Sequence, residues 1–209
     1  MNNLIELPVK EFISAIAGSS PVPGGGSISA LCGSLSAALG EMVASLTIGK
    51  KKYIDVEESM KKSASILDTL LHDFNKDIDR DSDAYMAVFS AFQLPKDTDA
   101  EKTARMQKIE ETTKIAAEVP LQVAQKAYTM MDIIHTVATT GNQNAVTDAC
   151  VAMMCARTAV LGALLNVRIN LSSIKDTEYV DKMKKEADRL EKEAINKETK
   201  LLEWVKTIL

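Results

Sequence analysis

Apolar residues along this chain recur at alternating steps of three and four over most of its length, the period of a helix that buries one face. A short first helix is predicted to open at Pro8, a favoured first-turn position, and to carry Phe12, Ile13 and Ile16. After the loop SSPVPGGGS the pattern predicts helices over residues 27–48, 56–92, 101–139, 145–165 and 177 to the end. The helix over 27–48 is crowded with small residues. Gly33 and Gly40 inside it are expected to allow another backbone or a ligand to come close. Pro120 lies within the fourth helix and is expected to kink it. NVRINL (166–171) alternates like a strand, yet one short strand makes no sheet. The expected fold is an all-α multihelical bundle, with residues 1–209 as a single domain.

One position breaks the third helix's seam. Leu67, Leu71, Phe74, Ile78, Tyr85, Val88 and Phe92 are apolar, but Asp81 stands where the next hydrophobe belongs. A carboxylate on a packing face costs several kcal/mol unless it is paired or its pKa rises, and such a group is a candidate acid or base. Of the other acids in DIDRDSDAY, Asp77 lies one turn before Asp81, while Asp79 and Asp83 are expected on the solvated far side.

Composition narrows the function classes. A net charge of −4 argues against a nucleic-acid partner. No unbroken apolar run reaches about 20 residues and MNNLIELPVKEF lacks a signal-peptide pattern, so no membrane partner is expected. Cys32, Cys150 and Cys155 form no paired framework, which suggests a reducing, cytoplasmic setting. His72 and His135 are far apart and there is no CxxC, so no metal site is expected.

Candidate chemistry gathers in the breaks between helices. In PVPGGGS, Pro23, Gly24, Gly25, Gly26 and Ser27 precede a helix, where exposed amides can bind an anion or a carbonyl group. The glycines also permit positive φ and close approach. In GNQNAVTD, Asn142, Asn144 and Asp148 can cap a helix or read the edge of a heterocycle. In GKKKY, Lys50, Lys51 and Tyr53 follow a helix C-terminus, where cations suit the dipole or can clamp a carboxylated ligand.

PVPGGGSISA, GKKKY, DRDSDAY, Val119-Pro120, GNQNAVTD and NVRIN, in this order, resemble the cyclodeaminase/cyclohydrolase family of folate enzymes. The resemblance implies a helical homodimer with a folate site lined by the glycine loop and the aspartate helix, and it puts the family's acidic catalytic position on Asp81. It implies hydrolysis of methenyl-tetrahydrofolate to the formyl derivative, or the alternative formimidoyl-tetrahydrofolate cyclodeaminase reaction, with no metal or redox cofactor. Absence of an attached formiminotransferase segment tilts the reading to the cyclohydrolase. A helical scaffold without activity is the third reading. Lys50 and Lys51 are then expected to meet the carboxylates of a polyglutamate tail.

Overall fold

A computed structural model describes residues 3–209 and consists of helices alone among them. Six α-helices run in order: α1 (Val9–Ile16), α2 (Gly25–Ser45), α3 (Glu57–Phe92), α4 (Asp99–Thr140), α5 (Val146–Leu171) and α6 (Thr177–Val205). A 3-10 turn at Leu4–Glu6 precedes α1, and others at Lys51–Val56 and Gln143–Ala145 join α2 to α3 and α4 to α5. Local chemistry sets several boundaries. Pro8 caps α1, one residue outside the position expected for it. Thr98 and Glu101 form a reciprocal capping box at the start of α4. Asp176 accepts the Tyr179 amide at the start of α6.

α2 is the axis of the bundle. Ser27 meets Ile78, Ser34 meets Leu71 and Asn75, and Gly40 faces Leu67, so α2 and α3 run antiparallel. Gly25 beside Asn166 and Ser36 bonded to the Ala152 carbonyl give the same sense for α2 and α5. A Cβ at Gly33 would lie 2.7 Å from the Phe74 ring, and one at Gly40 would lie 2.3 Å from Ile134. The space these glycines leave is taken by the side chains of Phe74, Ile134 and Leu67, not by the backbone or ligand that the sequence led one to expect. α6 runs parallel to α4 over a ladder of polar pairs, Lys114–Asp176, Gln125–Glu186 and Lys197–Asp132. Phe74, Met60, Leu67, Ile134, Met153 and Leu190 are fully buried in the shared core.

The structure corrects three expectations. NVRINL is the last turn and a half of α5, not a strand. Val167 and Leu171, four apart, are buried, while Arg168 between them reaches Asp188 and Glu191 on α6. Next, α2 begins at Gly25, and Gly24, with φ −116°, caps it. Among the described residues only Gly49 has positive φ, at 77°, so the glycine loop does not exploit that freedom. Last, α2 and the segment Gln143–Leu171 are each long and apolar enough to cross a bilayer by length and composition. Neither is an unbroken apolar run, since serines or threonines and charged residues interrupt each. Only about half of each such stretch is buried inside the fold, because both helices are apolar on the outer face as well as the inner one.

Candidate functional site

Asp81 sits against the first turn of α2. Its Oδ2 accepts the Ser27 hydroxyl at 3.1 Å, and the Ser27 amide also donates to the carboxyl group. A Cβ at Gly26 would lie 1.9 Å from Asp81 Oδ1, so only glycine lets the carboxylate approach this closely. Burial pushes the Asp81 pKa above the ordinary carboxylate range. The Ser27 bonds pull it down, and the charge of Asp77 adds to the rise. The seam reading thus located a perturbed acid, but the helix face changes character at that point. Tyr85 and Phe92 beyond it are exposed and Val88 is half-buried.

The carboxyl group forms part of the lining of a cavity of about 330 Å³ with Gly24, Gly25, Gly26 and Tyr85. A second hollow of about 730 Å³ shares Pro21, Val22 and Tyr85 with the first and continues past Asp83 and Phe89. Together they offer room of the order a small organic ligand needs. The residue before these glycines, Pro23, follows a cis peptide bond from Val22 and is buried. Ser27 is fully buried, and its hydroxyl is shared among the Ile78 carbonyl, Asp81 and Ser82. It orients the carboxylate and leaves no exposed surface of its own at the cavity.

The roles of three residues, Asp77, Asn166 and Asn170, escaped the sequence reading. Asp77, 2% exposed, is the most buried carboxylate on α3 and is paired with Lys126 of α4 and, at 3.4 Å, with Arg80. Lys126 also lies over the Phe74 ring. No local signal reveals a partner 49 residues away. Asn166 and Asn170 of α5 line the Asp81 cavity, and the strand-like alternation of their segment concealed them. The far-side reading holds for exposed Asp83 but not for Asp79, which accepts the Leu4 amide at 2.6 Å.

The remaining candidates lie at the other end of α2, about 30 Å away by helix rise. Asn142 is buried. Its Nδ2 donates to the Leu46 carbonyl, its amide to Thr47, and its Oδ1 accepts from the Asn144 amide. The Tyr53 hydroxyl accepts the Gln143 amide, which holds the phenol pKa below its usual value. Within one protomer, Asn142 and Tyr53 therefore act as joints. Lys50, Lys51 and the Asn144 side chain are exposed, and Asp148 is half-buried in the first turn of α5. Among the described residues, no grouping of His, Cys, Asp or Glu has the makings of a metal centre.

Residues 8–189 match the family model described as formiminotransferase-cyclodeaminase. The chain belongs to this family. It is 38% identical over 199 residues to a methenyltetrahydrofolate cyclohydrolase of Methylorubrum extorquens, covering 95% of this chain and 96% of that one. It is 32% identical over 191 residues to the formimidoyltransferase-cyclodeaminase of Gallus gallus, 91% of this chain but only 35% of that longer protein. A formiminotetrahydrofolate cyclodeaminase from Thermotoga maritima shares the fold with a TM-score of 0.87 at 26% identity, covering 97% and 98% of the two chains.

Proposed function

We propose that this protein is a methenyltetrahydrofolate cyclohydrolase whose acid–base residue is Asp81. The observation that carries the reading is a half-buried carboxyl group of raised pKa, bonded to the first turn of α2 beside an open cavity. The end-to-end match to a cyclohydrolase of the same length supports it.

The substrate carries one carbon between two nitrogens as a cation. Ionised Asp81 faces that cation and takes a proton as water adds to the carbon. The bond from carbon to one nitrogen then breaks, and protonated Asp81 returns its proton to that nitrogen. The new hydroxyl loses its proton to solvent as the formyl C=O forms, so each turnover releases one proton. A pKa above the ordinary carboxylate range suits a group that must both accept and return a proton near neutrality. Water is the only co-reactant, and no cofactor enters these steps. The same carboxyl group serves the second reading, in which a folate nitrogen attacks a formimidoyl carbon and ammonia leaves. The full-length structural likeness to a cyclodeaminase favours keeping that reading.

The same proposal includes a homodimer in the cytoplasm, with no membrane or nucleic-acid partner. Leu35 and Met42 of α2, Leu46 just after it, and Val151, Met154 and Leu165 of α5 are exposed hydrophobes that a second copy would cover. An antiparallel pairing of two α2 helices puts the lysine end of one beside the glycine end of the other. That arrangement would reunite the two clusters that stand apart in one protomer.

The test follows loss of methenyl-tetrahydrofolate absorbance, and ammonia release from the formimidoyl substrate in a parallel arm. Hydrolysis above the spontaneous rate supports the first reading. Ammonia release without hydrolysis supports the second, and neither activity would return the chain to a scaffold.

A further inference from the structure

Pro120 has no amide hydrogen, so the carbonyl of Ala116, one turn earlier in α4, loses its helical donor. Asn170 supplies a replacement from α5. Its Nδ2 donates to Ala116 O at 2.9 Å and to Asn166 O at 2.9 Å. The Nδ2 of Asn166 donates to Gly162 O at 2.9 Å. Carbonyl oxygens can only accept, so these bonds fix which end of each amide is nitrogen. Both Oδ1 atoms are left without a protein donor among the described residues, and neither is sealed in the interior. Both residues, together with Ala116, line the cavity that contains Asp81.

We propose that Asn166 and Asn170 present a pair of carbonyl acceptors that bind the N–H donor edge of the substrate's reduced pterin ring, with Pro120 as the positioning residue that holds Asn170. This rests on the folate reading above and adds the ring-binding residues. A reduced pterin carries several N–H donors and makes the same contacts in ground and transition states. Loss of an acceptor therefore raises KM and leaves kcat nearly unchanged.

The test compares wild type, Asn166→Ala, Asn166→Asp and Pro120→Ala. Steady-state kinetics with methenyl-tetrahydrofolate are paired with calorimetric binding of 6-methyltetrahydropterin, which requires no turnover and carries no tail. Asn166→Ala is expected to raise KM and weaken pterin binding by the same factor, about fivefold for one neutral hydrogen bond. Asn166→Asp, which retains an acceptor, restores most of both. Pro120→Ala lets an amide reclaim Ala116 O and raises KM by a smaller factor. Unchanged pterin binding in Asn166→Ala overturns the inference, as does an aspartate variant no better than alanine. Pterin binding that depends on Asn166 in a protein without turnover sustains the inference and counts against the cyclohydrolase reading instead.

Discussion

The two ends of α2 use the same kinds of residue for opposite purposes. At the glycine end, a carboxylate is drawn out of water into a helix N-terminus, and part of its surface still faces an open cavity. At the lysine end, the Thr47 hydroxyl accepts the Asn142 amide, Asn142 Nδ2 donates to the Leu46 carbonyl and the Tyr53 hydroxyl accepts the Gln143 amide, which closes the junction of α2, α4 and α5. Polar residues in interhelical breaks look alike in a sequence. They differ in whether folding leaves a hydrogen-bonding group unspent. The first end holds a group kept at a cost for chemistry, and the second returns its polar groups to stability.

The largest expected effect tests the glycine end. Asp81→Asn is expected to cut turnover by roughly two orders of magnitude or more, as loss of a positioned acid–base group does. The same change should stabilise the fold at neutral pH. The folded-state pKa of Asp81 is raised, so ionisation penalises the folded form above that pKa, and the penalty fades as pH falls toward the ordinary aspartate value. Thermal melts should show a higher midpoint than wild type near neutrality, with the difference shrinking in acid. Lost activity with lost stability at every pH would remove Asp81 from the chemistry.

Gly26→Ala sharpens the same end. Its Cβ collides with Asp81 Oδ1, so the carboxylate must move. Displacement by about 1 Å lowers kcat/KM up to about 100-fold, while circular dichroism should still report a helical protein. A fully active variant would show that the tight seat of the carboxylate is immaterial.

Asn142→Ala tests the other end and should spare kcat. Its loss removes the bonds to the Leu46 carbonyl and the Asn144 amide, at about 0.5–1.5 kcal/mol for each in urea unfolding. Collapse of kcat in a protein of unchanged stability would erase the contrast between the two ends.

The smallest effect falls on Lys50→Ala combined with Lys51→Ala. These exposed cations should raise KM severalfold for polyglutamylated substrate but not for monoglutamylated substrate, and salt should diminish the difference. An equal change with both substrates would exclude tail binding.

Helical period, the order of the breaks and the one charged seam position are properties of the sequence itself. They sufficed for an all-α bundle and to single out Asp81, because burying a helix face imposes a repeat of three and four that a half-buried acid can interrupt, whereas the more deeply buried Asp77 interrupts no such repeat. Distances along the chain carry no comparable rule for distances through space. Only the folded chain shows that Asp77 is paired across 49 residues with Lys126, or that Asn170 completes a bond Pro120 cannot make across 54. It alone separates Ser27, spent on orienting the carboxylate, from Gly24 and Gly25, which keep surface at the cavity. Pairing between distant segments depends on helix register and tilt, and those are fixed by packing small residues such as Gly33 and Gly40 against particular side chains.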